Sequence, residues 1–192
     1  MLRRAALVAF AVLLPPVVTL APDGSVPRAE ASVSILLSLD ELVAGSTYVV
    51  VGTPSDRRSV WEEIGGSRRI VTYTKIDVER AVVGKPPASI WVRTLGGAVG
   101  HIGQSVSGEA QLAMGQRALV FVADADGVKV VAGRAQGHFP VGEDRKLRAS
   151  PDVGGLVPRP GPIASARDEL LGVDLDVSVQ KIVRAKARHD QK

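Results

Sequence analysis

From Arg68 to Ala81 the chain alternates with a period of two residues. Ile70, Thr72, Thr74, Ile76, Val78 and Arg80 fall on one side; Val71, Tyr73, Lys75, Asp77 and Glu79 fall on the other. This period belongs to a strand, whose successive side chains point to opposite faces, and not to a helix. A strand of this length bends or coils, because sheets twist. Ile64-Gly65-Gly66-Ser67 precedes it, and Arg57 to Glu63 precedes that, so the two arms are expected to form a hairpin.

Further strands follow from the same logic. Thr47 to Thr53 is Val-rich, lies between Gly45 and Pro54, and reads as a strand buried on both faces. Val82-Val83-Gly84-Lys85-Pro86-Pro87 is a turn, and Ser89 to Leu95 is the next strand, with Ile90, Val92 and Thr94 on one face and Trp91, Arg93 and Leu95 on the other. Arg117 to Ala123 and Val128 to Ala132 flank Asp124-Ala125-Asp126-Gly127, a tight hairpin turn. Gly137 to Val141 is a short extended piece anchored by Phe139. Before the strands, Ser38-Leu39-Asp40-Glu41 has the form of a capping box for a helix through Ala44, with Leu37, Leu42 and Val43 toward the core. Strands dominate and do not alternate with helices. The expected fold is therefore mainly β, a small five- to six-stranded OB-like antiparallel barrel with a short N-terminal helix and a helical C-terminal tail.

The chain divides into a leader at 1–31, a barrel domain at 32–149, a Pro/Gly linker at 150–162 and a helical tail at 163–192. In the leader, Arg3 and Arg4 precede the unbroken apolar run Ala5 to Leu14, and Pro15-Pro16 ends it. This is the pattern of an export signal, cleaved after Ala21 or after Ala31, and it predicts a periplasmic or extracellular protein with no membrane anchor once cleaved. In the tail, Ile163 to Gly172 reads as a short helix. A second helix, capped by Asp176 or Ser178, runs to about His189 with Val179, Ile182 and Val183 as its apolar stripe. Its basic residues (Lys181, Arg184, Lys186, Arg188) read as a solvated face.

The 192 residues include no Cys and no Asn. That excludes disulfides, Cys-ligated metals, a thiol nucleophile, a lipoprotein anchor and N-glycosylation. An exported domain without disulfides is held by packing, and 30 Val residues supply it. The net charge is +4, but Arg and Lys are scattered among acids and aromatics make up 4% of the chain. No nucleic-acid footprint is formed.

The order of these elements carries a resemblance. A helix leads into Tyr48-Val49-Val50-Val51-Gly52, then Thr72-Tyr73-Thr74-Lys75-Ile76-Asp77-Val78 and a Val-Gly-Lys turn at 83–85. Ile90-Trp91-Val92-Arg93-Thr94, a Gly-rich loop, Met114-Gly115-Gln116-Arg117-Ala118-Leu119-Val120-Phe121 and a hairpin complete it. Over Leu39 to Val141 this resembles the netrin-like OB-fold domain of tissue inhibitors of metalloproteinases, and also uncharacterised exported bacterial proteins. The resemblance implies the fold and a binding role. The inhibitors place an N-terminal Cys on the protease zinc; this chain has no Cys, so no inhibitory residue carries over.

The segment Gly96 to Gly108 holds five glycines in 13 residues and is the candidate binding loop, through Gly97, Gly100, His101, Gly103, Gln104 and Ser105. It is not a phosphate cradle, since no helix follows and no Gly-Lys-Ser/Thr occurs. It is not a nucleophile elbow, since Gly103-Gln104-Ser105-Val106 continues with Ser107. An alternative reading is a small periplasmic hydrolase with His101 as base and Ser105 or Ser107 as nucleophile. A third is a structural envelope protein. His101, His138 and His189 lie in separate segments, and Asp124 and Asp126 are too few for a calcium loop, so neither a metal nor a cofactor is implied. Trp61 and Trp91 read as strand packing residues. The expected function is that of a non-enzymatic module binding a secreted or envelope protein, or another envelope ligand; the oligomeric state is not legible.

Overall fold

The computed structural model describes residues 33–158 and 160–191. The leader and both expected cleavage positions lie outside these residues. The elements in chain order are β1 (Val33–Ile35), α1 (Leu39–Ala44), β2 (Tyr48–Ile64), β3 (Ser67–Val83), β4 (Ser89–Leu95), β5 (Gly97–Val99), β6 (Ile102–Gln104), β7 (Ala118–Ala125), β8 (Val128–Val131), a 3-10 turn (Arg134–Gly137), β9 (His138–Pro140), β10 (Gly155–Val157), α2 (Ala166–Leu170) and α3 (Leu175–Asp190). The protein is mainly β.

One six-stranded sheet runs in the order β2-β3-β4-β8-β7-β9, and β2 also pairs with β7. β2 and β3 are each 17 residues long and pair antiparallel from end to end. The first part of β2, Tyr48 to Gly52, pairs on its other edge with Val122 to Ala118 of β7. The expectation of a wholly antiparallel barrel is corrected here. β4 and β8 run parallel, joined at the single register position Arg93↔Val130. They run parallel because the β7–β8 hairpin returns along β4 in β4's own direction.

Pro54 does not end the strand, as the sequence had suggested, but sits inside β2. Two features accommodate it. The pairing with β7 stops at Gly52, so the missing N–H of Pro54 breaks no ladder bond, and its carbonyl accepts the Gly115 N–H at 2.9 Å. The register also shifts between Pro54 and Asp56, a bulge that bends the long strand.

The Val-rich start of β2 is buried on both faces because the sheet separates two cores. Val50, Ile76, Val92, Val120 and Val122 face inward among the coiled strands, with Ala110 and Leu112 closing that core. Val49, Val51, Leu119 and Phe121 face the other way and pack against helices. Phe121 meets Phe139 edge to face, ring centres 6.1 Å apart.

The C-terminal helices belong to this second core. Leu170, Leu175, Val179, Ile182 and Ala185 are buried in one cluster with Leu39, Leu42 and Phe121. The apolar stripe of α3 is therefore Leu175, Val179, Ile182 and Ala185, and Val183 is 49% exposed, which corrects the expected stripe. Its cap is Asp174, whose carboxylate accepts the Asp176 N–H at 2.8 Å, and not Asp176 or Ser178. α1 carries the expected capping box: Ser38 and Glu41 each accept the other's backbone N–H. The segment read as a linker contains β10, which pairs parallel with β1. Gln136 fastens the start of the chain to this body. Its side chain accepts the Leu37 N–H at 2.9 Å and donates to the Ile35 carbonyl at 3.0 Å.

Candidate functional site

Where β2, β3 and β4 lie side by side, two rungs of their inner face carry polar side chains. One rung is Ser59, Thr72 and Thr94; the next is Arg57, Thr74 and Val92. Alternation places them together, because residues two apart share a face. Threonine suits the position, since its branched side chain fits a strand while its hydroxyl stays available.

The chain leaves β4 and turns back over this face. The Gly96 N–H donates to the Ile70 carbonyl at 2.8 Å. The Thr72 hydroxyl donates to the Gly96 carbonyl at 2.7 Å and shares a 2.9 Å hydrogen bond with Ser59. Gly97 has φ +128°, and a Cβ there would stand 2.1 Å from Thr72 Oγ1, so only glycine fits. The Gly-rich segment then forms a small hairpin of β5 and β6. Gln104 pins its return arm by accepting the Ile70 N–H at 2.7 Å.

Beneath the base of this hairpin lies a cleft of about 450 Å³, lined by Arg57, Thr72, Thr74, Thr94, Gln104 and Glu109 among others. Ligand pockets commonly have this size. Gly97 and Ser105 also line it, while Gly100, His101 and Gly103 do not. The structure thus divides the candidate binding loop: Gly97, Gln104 and Ser105 border the cleft, and Gly100, His101 and Gly103 form an exposed tip.

Glu109 is 8% exposed and accepts from Arg134 Nε at 3.1 Å. Burial raises its carboxyl above the usual range, against the opposing pull of the Arg134 charge and of the Ala110 and Leu95 backbone N–H groups. Arg134 also donates to the Ser107 carbonyl at 3.2 Å. The pair ties the cleft wall to the 3-10 turn.

The catalytic alternative needs a hydrogen bond between base and nucleophile. Among the described residues, His101 makes none with Ser105 or Ser107, and the Ser107 hydroxyl donates to Asp152 at 3.4 Å. His138 is buried on β9, with Nδ1 3.1 Å from the Ser150 hydroxyl, and burial lowers its pKa to about 4. Asp124 accepts the Gly127 N–H at 2.8 Å and pairs with Lys129, which makes this segment a hairpin turn. Among the described residues no three His, Asp or Glu side chains converge to hold a metal ion. Trp91 packs on the outside of the sheet and not in a core. Arg58 stacks on its ring at 5.1 Å and on Tyr73 at 5.5 Å, and Arg68 covers Trp61 at 4.9 Å.

Sequence reading missed Arg57, the three threonines and Glu109. One signal was available: Thr72 and Thr74 share a face with Ile70 and Ile76, so the apolar side of that strand carries two hydroxyls. Glu109 offered a second, a lone acid between Gly108 and the apolar Ala110 and Leu112. No described helix is long and apolar enough to cross a membrane. No family model matches the chain, and no curated protein or solved structure does either.

Proposed function

We propose that this protein is an exported, non-enzymatic binding module, an OB-like barrel that takes its ligand in the cleft beneath the Gly-rich hairpin. The barrel reading rests on the pairings: β2 joins both β3 and β7, and β8 lies between β4 and β7. The export reading rests on the apolar run after Arg3-Arg4. The N-terminus of the mature protein, read by mass spectrometry, tests it; an intact Met1 in a cytosolic fraction contradicts it.

The observation that carries the binding role is the cleft itself. It has a polar floor of threonines, one wall formed at Glu109, which is hydrogen-bonded to Arg134, and a rim formed by the base of the candidate loop. OB-like barrels bind ligands at such rims. The ligand class follows from an exported address: a secreted or envelope protein segment, or a smaller envelope component.

Ala113 is exposed and lines the cleft, so Ala113→Trp fills it without disturbing either core. Native mass spectrometry of protein recovered from its own envelope extract is the test. Wild type and His101→Ala retain a ligand and Ala113→Trp loses it. A ligand kept by Ala113→Trp and lost by His101→Ala overturns the reading.

A further inference from the structure

The cleft is richer in donors than in acceptors, and this says what it takes. The inference rests on the cleft being the binding site. Glu109 is its buried carboxylate, and its oxygens are committed to Arg134 Nε and to the backbone N–H groups of Ala110 and Leu95. The Gln104 oxygen is committed to the Ile70 N–H. Thr72 spends its hydroxyl on Gly96, and Thr94 donates to the Thr72 carbonyl at 3.4 Å.

Ser105 and Gln111 also line the cleft and can either donate or accept; three further donors remain. The Arg57 guanidinium lines the cleft and has no carboxylate partner among the described residues; Asp56 accepts only the Arg57 backbone N–H, at 2.7 Å. Thr74, its register partner, is 1% exposed, lines the cleft and makes no side-chain hydrogen bond among the described residues. Its hydroxyl opens onto the cleft, since among the described residues no fully buried side-chain polar atom lacks a partner. The Gln104 NH₂ group is the third, oriented by its own oxygen's bond to Ile70.

We propose that the cleft binds an oxyanion, a carboxylate or phosphate group at the end of a small ligand or peptide, gripped by Arg57, Thr74 and the Gln104 amide. A guanidinium presents paired N–H groups that match two oxygens of either anion. Because Arg134 balances Glu109, Arg57 leaves the cleft one positive charge in excess.

The test is calorimetric titration of the full chain at low ionic strength with inorganic phosphate, N-acetylalanine and the neutral N-acetylalaninamide. The first two separate a phosphate from a carboxylate source. At least one of them binds wild type, with Kd raised about tenfold or more in Arg57→Gln, as expected for loss of a charge-assisted hydrogen bond. Thr74→Val, which keeps the side-chain shape, weakens the same anion by roughly three- to tenfold, with unfolding curves confirming that both variants fold. Equal affinity for the amide and the carboxylate, or an Arg57→Gln affinity equal to wild type, overturns the oxyanion preference and leaves the binding role standing. If none of the three probes binds, the oxyanion proposal falls, while retention of an envelope ligand by wild type and its loss in Ala113→Trp still decide the binding role separately.

Discussion

The Thr72 hydroxyl lies 2.7 Å from the Gly96 carbonyl oxygen, and that hydrogen bond sets where the Gly-rich hairpin crosses the sheet. Gly97 follows at φ +128°, where an added Cβ would stand 2.1 Å from the same hydroxyl and 2.7 Å from Ser59 Oγ. At the tip, Gly100 has φ +61° and open space around it. The two glycines therefore carry different weight. Gly97→Ala costs about 3 kcal/mol, combining strain and overpacking. Gly100→Ala costs about 1 kcal/mol, from left-handed backbone alone. Urea unfolding of both variants checks the difference.

Arg134 and Glu109 form the half-buried ion pair at the cleft wall. Arg134→Met leaves a buried carboxylate unpaired and costs about 3 kcal/mol or more. Glu109→Gln costs less, since the amide can stay hydrogen-bonded to neighbouring backbone. The Glu109 carboxyl lies above its ordinary value of 4.5 in the folded chain. The folded state then holds its proton to higher pH than the unfolded state does. Wild type accordingly loses stability relative to Glu109→Gln as pH rises from about 4.5. Denaturation midpoints of the two proteins across that range measure it.

His138 gives the opposite slope. Burial holds it near 4, against an ordinary 6.5, so between those values the unfolded chain takes up a proton that the folded chain refuses. Stability is complete above pH 6.5, falls as pH drops toward 4, and levels off below. The full effect is about 3 kcal/mol. His138→Gln removes this acid limb from a plot of unfolding free energy against pH.

The strands and turns of this fold were largely legible because a period of two is written directly into residues 68–81 and 89–95. Pro54 misled because a proline usually ends a strand, whereas a bulge and the end of the β7 pairing at Gly52 absorb it here. The role of α3 was hidden for a different reason. Val183 and Ile182 are equally apolar, and only the packing of α1 and β3 against the helix decides which one is buried. The cleft was half legible: the loop drew attention, but its glycines pointed to the tip, while the chemistry sits on strand threonines that look like ordinary strand formers.

The same packing separates two neighbours on α3. Ile182 is fully buried and Val183 is 49% exposed. Ile182→Ala costs about 2–5 kcal/mol, for lost transfer energy and a cavity. Val183→Ala changes stability by less than about 0.5 kcal/mol. Chemical denaturation of both variants checks it.

The location of the binding site is tested most directly by mapping backbone amide shifts in ¹⁵N-labelled protein titrated with a library of small carboxylates, phosphates and neutral polyols. The shifts are expected to gather at residues 94–97 and 104–114 and at Thr74, around the cleft. Shifts gathered instead at Gly100 and His101 on the hairpin tip, or at Tyr73 and Trp91 on the outer face, would contradict it.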